Sequence, residues 1–401
     1  VGHDNDGRVG SQRLTAAELA WEGALAGLGG REAAARLARR LDGLVPWADV
    51  LREARRLRLA PLLHLGLRSV DELRAQVPDP VGEALRRTTR AAAARAARLE
   101  RVCAGTAAAA ASAGIPVLVL KGPALGSLTY PAAAVRPMDD VDLLVAARHR
   151  GPMAEVLRGR GYRNDLRGEE DFLAGDRSHG IDLHTEAVNT TRLPARRALW
   201  PVSFDELWAR SQTFALAGTT LRTLGPQDTL RHLAIHAVHH HGLAGRLWMV
   251  DLLACLRAWP RALDGIASAP APVRRSLWYC LEVLATGGRD PAPEVRRAIR
   301  PPALLPGEAR LLAAGSRGDL PEGVRYGFTL VCLPTWRAKA AFLRQLLFPR
   351  AGVHTDGFGD AAGSVPGWPD HWGLAARLAR GCLRAAFGRR KAIARGPAGL
   401  D

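Results

Sequence analysis

Two aspartates at alternate positions, Asp140 and Asp142, stand in the run Arg136-Pro137-Met138-Asp139-Asp140-Val141-Asp142-Leu143-Leu144-Val145. The apolar residues after them predict a buried strand, and alternate residues on a strand share a face. Two carboxylates on one face repel each other and resist desolvation. A divalent cation compensates both effects. Oxygen ligands of this kind suit Mg²⁺, with substrate phosphates completing its shell.

The elements that must position these groups are legible as changes of texture. Thr15 is the expected N-cap of a helix over 16–28, and residues 31–44, 47–59 and 61–75 continue with helical spacing. A stretch rich in Ala, Arg and Leu, all good helix formers, runs from Pro80 to Ala113. At Ile115 the pattern changes. Residues 116–120 read as a buried strand broken by Gly122-Pro123, 124–130 as two helical turns, 141–145 as a second strand and 149–160 as a helix. Residues 178–184 read as a third strand carrying Asp182, and 219–223 as a further β-element. From Pro226 the chain is helical again: 227–242 and 246–259 as a hairpin, then 272–285, 303–314 and 336–347. Residues 351–369 have the Gly and Pro content of a linker, and 371–387 form a basic amphipathic segment that reads as a solvated bundle helix. The expected fold class is α+β: a small mixed sheet flanked by N-terminal and C-terminal helical domains. The expected divisions are an N-terminal helical domain (1–79), a core with its long leading helix (80–225), a helical domain (226–350), and a linker with a basic C-terminal helix (351–401).

Composition narrows the partners. The net charge of +17 invites a nucleic-acid or anionic-membrane reading. Yet the cations are nearly all Arg and diffusely spread, with Lys only at 121, 339 and 391. That distribution describes a solvated surface, so nucleic acid is not the favoured partner. The five cysteines (103, 255, 280, 332 and 382) are scattered without a CxxC, which argues against disulfides or a thiolate zinc site and for a reducing cytoplasm. Residues 1–12 lack the apolar core of a signal peptide. The Ala-rich run at 104–120 is broken by Ser112, Gly114 and Pro116, and reads as helix end plus strand, not as a membrane span.

The order of apolar strand, glycine step, short helix, Asp-x-Asp strand and later Asp-bearing strand resembles the polymerase-β-like nucleotidyltransferase superfamily. More closely, Leu120-Lys121-Gly122, Tyr130-Pro131, the run 136–145, Gly161-Tyr162 and Asp182-Leu183-His184 are similar to a bacterial family of mostly uncharacterised nucleotidyltransferases. Leu224-Gly225-Pro226-Gln227-Asp228, His236-Ala237, Arg246-Leu247-Trp248, Asp251-Leu252 and the run 342–349 extend the similarity into the helical half.

The resemblance implies transfer of a nucleoside monophosphate, AMP by expectation, from an NTP to an unidentified small-molecule or peptide acceptor. Some members sit among natural-product or polysaccharide biosynthesis genes. Asp140, Asp142 and Asp182 would then hold two Mg²⁺ ions, with Asp182 also activating the acceptor. Gly122 would let the backbone approach phosphate, and Lys121 and Arg136 would neutralise the triphosphate. The superfamily's Gly-Ser pair falls on Gly122-Pro123; Gly126-Ser127 is the other candidate, which keeps Ser127 in the expected nucleotide site. A second reading is a non-catalytic nucleotide-, RNA- or partner-binding protein on a degenerate version of the fold.

Bland roles stand beside these. Lys121 could be a solvated strand end, and Arg136 a salt bridge to a nearby Asp. Asp139 is expected to face solvent or a turn. Glu169, Glu170 and Asp171 read as a solvated helix start. His184 shares a face with Asp182 and either lines the pocket or packs. At α-helical spacing His232, His236, His239 and His240 share one helix face, with His241 pointing away. A zinc site, and with it a His-based metal hydrolase, lacks an HExxH motif or a Cys ligand. The favoured reading places His236 toward the cleft, with Asp251 as a partner.

Overall fold

A computed structural model describes residues 14–41, 45–164, 171–190, 193–305, 307–317, 320 and 323–348. The expected linker (351–369), the basic segment (371–387), residues 1–12, Glu169, Glu170 and Cys382 lie outside the described residues.

The chain opens with α1 (Ala16–Gly29), α2 (Arg31–Ala38), α3 (Trp47–Arg56), α4 (Ala60–Leu67) and α5 (Asp71–Arg74). Thr15 caps α1 in a reciprocal box with Glu18, as its position implies. Glycines let α1 and α4 cross closely: a Cβ at Gly27 would lie 2.1 Å from the Leu62 carbonyl oxygen. The long α6 (Asp79–Ser112) then leads into the sheet.

The sheet region comprises β1 (Leu118–Leu120), α7 (Gly122–Thr129), β2 (Asp140–Leu144), α8 (Arg150–Gly159), β3 (Tyr162–Asn164), β4 (Asp171–Ala174), β5 (Gly180–His184), α9 (Phe204–Ala209), β6 (Gln212–Leu216) and β7 (Thr219–Thr223). After it come α10 (Pro226–Ile235), α11 (Arg246–Ala258), α12 (Ala271–Thr286), α13 (Pro293–Ala298), α14 (Glu308–Arg317), α15 (Val324–Cys332) and α16 (Trp336–Leu347). Seven strands form one mixed sheet in the order β3-β4-β5-β2-β1-β7-β6. The α+β architecture is thus as expected, with β3, β4 and β6 added. The expected helix over 61–75 is two, α4 and α5.

Both faces of the central strands are covered, and the period of two decides which residue goes where. Val119, Val141, Leu143, Ile181 and Leu183 pack on one face with Leu99 and Cys103 of α6 and Met153 and Leu157 of α8. Leu118, Leu120 and Leu144 point the other way, into a core shared with α10, α11 and α12. Asp142 therefore lies on the same side as Leu144, facing the helical half of the chain. Among the described residues no helix is long and apolar enough to cross a membrane.

Candidate active site

Strand β1 ends at Leu120, and Lys121 turns the chain into α7 with φ 47° and ψ −117°. A non-glycine residue seldom adopts that conformation, and such strain persists only where the surroundings enforce it. The turn sends the Lys121 side chain back across the sheet, where Nζ lies 2.7 Å from Asp142 Oδ1. Strand β2 runs antiparallel to β1 and parallel to β5, and the register sets Asp142 beside Leu120 on one side and Asp182 on the other. Asp140 pairs with Gly180, and Leu144 with His184. Asp140, Asp142, Asp182 and His184 consequently share one face, at the floor of a pocket of about 210 Å³.

His184 Nε2 donates to the same Asp142 oxygen at 2.9 Å. Burial alone would raise the Asp142 pKa; the Lys121 ammonium and the His184 hydrogen bond reverse this and hold it well below the usual carboxylate range. Its neighbours move oppositely. Burial and the Asp142 charge push Asp182 up to about 7, and the same two causes raise Asp140. Burial would lower the His184 pKa, but the bond to Asp142 and its charge raise it on balance.

Even with Lys121 and His184 present, the site is short of positive charge. A set of carboxylate oxygens with one imidazole fits a divalent cation. One potential ligand atom from each of Asp142, Asp182 and His184 lies within 4.8 Å of the others. Among the described residues this is the only such group.

The other expected site residues separate into those inside the pocket and those outside it. Arg136 lines the pocket but is buried in a bidentate ion pair with Asp251, whose Oδ1 also accepts from the Tyr130 hydroxyl at 2.5 Å. Asp251 is fully buried on α11, beneath the pocket wall. Ser127 donates to the Ala215 carbonyl at 3.3 Å, outside the residues that line the pocket. Gly122 does line it. A Cβ there would meet Met138 and the Asp140 carbonyl only at 3.7 Å, so no packing within the chain demands glycine. Asp139 pairs with Arg58 and with Arg95, which also donates to the carbonyls of Met138 and Asp139. The N-terminal helices thereby hold the approach to β2. Asp171, expected at a helix start, opens β4 directly opposite Asp182.

The histidines correct the α-helical expectation. After Ile235 the helix widens into a π turn, His236–His240, closed by the His241 amide bonding the His236 carbonyl at 3.2 Å. The extra residue rotates the histidines at the end of the turn about the helix axis. His239 still lines the pocket, with its ring bonded to Ser276 at 2.8 Å and Thr329 at 3.1 Å. His241, expected to point away, enters the pocket, where its Nε2 lies 3.0 Å from His236 Nε2 and its ring stacks on Trp248. His236 stacks between His232 and His240. Burial, reinforced by Lys121, lowers His232 and His241 to about 3 and His236 well below its ordinary value. This wall is neutral, and its rings stack instead of converging on a common centre. Sequence reasoning missed His241 and Trp248 as pocket residues, and Arg58, Glu186 and Arg196 as well. Only the π turn, a backbone feature without a residue signature of its own, places His241 there.

The fold thus joins a mixed sheet, an Asp-x-Asp strand beside a third Asp, and a Lys-Gly turn at the end of the adjoining strand. Residues 44–285, more than half the chain, match the model of a family described as uncharacterised nucleotidyltransferase. The chain belongs to that family. Searches of curated proteins and of solved structures found no match.

Proposed function

We propose that the protein transfers a nucleoside monophosphate from an NTP, by expectation ATP, to an acceptor nucleophile, with divalent-cation dependence. The observation that carries this reading is the parallel register of Asp142 with Asp182, with Asp140 two residues away on the same face and Lys121-Gly122 at the end of the adjoining strand. Asp140, Asp142 and Asp182 would hold the cation, and Mg²⁺ is the ion their oxygens suit. When bound, such an ion neutralises phosphate charge and draws nucleophile and phosphorus together.

The chain's own groups supply the rest. Lys121 and the open backbone at Gly122 provide the phosphate side of the pocket. Arg136, held by Asp251, keeps the loop before β2 in place and adds positive potential behind the carboxylates. Asp182 sits farthest from Lys121 in the strand order and is the carboxylate that would orient the acceptor hydroxyl. The neutral imidazoles and the Trp248 indole form an opposite wall on which the acceptor or the base can rest without competing for the cation.

The test uses α-labelled NTPs with candidate acceptors, following label transfer and pyrophosphate release. Wild type is expected to be active, and Asp140→Asn with Asp142→Asn to lose transfer while staying folded. Undiminished transfer by the folded double variant, or no binding of metal·NTP by wild type in calorimetry, would sink the reading.

A further inference from the structure

The nucleotidyl-transfer reading, on which this inference rests, asks only for carboxylates around the cation. The floor of the pocket contains one group more. His184 lies two residues after Asp182 on β5, on the same face, and its Nε2 reaches Asp142 on the neighbouring strand at 2.9 Å. The side chain is 13 % exposed, enough to open onto the pocket without being free in solvent. The three side chains approach from two adjacent strands whose backbones are fixed by a continuous ladder. The ladder fixes the backbone positions from which these three side chains converge.

We propose that His184 is a metal ligand, completing a two-carboxylate, one-imidazole centre with Asp142 and Asp182 that selects Mn²⁺ over Mg²⁺. Mg²⁺ is a hard ion that favours oxygen and dehydrates reluctantly. An imidazole nitrogen suits first-row transition ions better, while carboxylates accept Mn²⁺ as readily as Mg²⁺. One nitrogen among the ligands thus shifts preference without excluding either ion. The imidazole N–H and the Lys121 ammonium both rest on Asp142 Oδ1 and offset its charge. To serve as a ligand, Nε2 would present its lone pair in the Nδ1–H tautomer, with the ring proton carried on the far nitrogen. Asp140, at the open end of the same face, would remain beside the cation as the third carboxylate.

Metal-free full-length protein would be titrated with Mn²⁺, with and without a non-hydrolysable ATP analogue. Free Mn²⁺ is read by EPR, nitrogen coupling to bound Mn²⁺ by spin-echo EPR, and preference by Mg²⁺ displacement. Wild type is expected to show nitrogen modulation. In His184→Gln, checked for folding by thermal melt, the modulation should vanish and the Mn²⁺-over-Mg²⁺ preference fall about tenfold. Bound Mn²⁺ without nitrogen modulation in wild type, or modulation unchanged in the folded variant, would overturn the His184 assignment and leave nucleotidyl transfer standing. Failure to bind either ion, even with the analogue, would overturn both. The wild-type spectrum decides the matter even if the variant does not fold.

Discussion

Arg136 and Asp251 are joined by two parallel hydrogen bonds of 2.8 Å, Nε to Oδ1 and one Nη to Oδ2, and neither side chain is more than 3 % exposed. The pair ties the loop before the Asp-x-Asp strand to α11, so the β2 carboxylates and the histidine wall are fixed to each other. Removing one partner leaves the other charge buried and uncompensated. Asp251→Ala is expected to destabilise the protein by about 3–5 kcal/mol, read from urea unfolding. Asp251→Asn should cost less, because an amide oxygen still accepts from Tyr130. A loss within about 1 kcal/mol for Asp251→Ala, the range of exposed ion pairs, would contradict the structural role.

Lys121 occupies an Asp142 oxygen that a cation would need. Lys121→Met should therefore strengthen Mn²⁺ binding to the nucleotide-free protein while weakening binding of the NTP, each by about tenfold or ~1.4 kcal/mol. Calorimetry on the two ligands separates the effects. Parallel weakening of both would mean that Lys121 shapes the site without competing for Asp142.

Ser127 is bonded to the Ala215 carbonyl, outside the pocket. Ser127→Ala should change the KM for NTP and kcat by no more than about twofold, as for an exposed residue away from the chemistry. A selective rise in KM with kcat preserved would return Ser127 to the nucleotide site.

Acid should unfold the protein readily. His232, His239 and His241 are lowered by burial to about 3, and His236 and His240 also fall well below 6.5. The folded protein refuses protons that the unfolded chain accepts below about 6.5. Stability from these groups is thus whole above that pH and falls as pH drops toward 3, by up to ~1.4 kcal/mol per histidine per pH unit. Asp182, raised to about 7, acts in the opposite sense: its proton is bound more tightly in the folded state, which favours folding between about pH 7 and 4. Asp140 and His184, also raised, act in the same sense as Asp182, and the five histidines outweigh these three groups. The melting temperature in EDTA should fall steeply from pH 6.5 to 5, and a flat profile would show that the histidines protonate in the folded state.

Much of the fold and site was legible because it depends on local period. The alternation of Val141, Leu143 and Val145 with Asp140, Asp142 and Leu144 places the carboxylates on one face whatever surrounds the strand. The predominance of helix formers before Ser112 gives α6 its expected length, displaced by one residue. The short strands β3, β4 and β6 escaped because three to five residues carry little period, and their pairing comes from neighbours in the sheet. Asp171 is the clearest instance: its acidic surroundings read as a helix start, yet the ladder sets it opposite Asp182. Arg136 had two open roles, phosphate contact or salt bridge, and its position against Asp251 shows the salt bridge.

The sequence by itself determined that this chain is an α+β nucleotidyltransferase-family protein in which Asp140 and Asp142 share one strand face, because motif order and strand period are properties of the chain. Which groups meet those carboxylates was decided only in three dimensions. Lys121 reaches Asp142 through a strained turn, His184 through strand register, and His241 through a π turn that adds one residue to the helix. Each depends on backbone geometry enforced by distant packing, and a single residue of slip in any of them would turn a different side chain into the pocket.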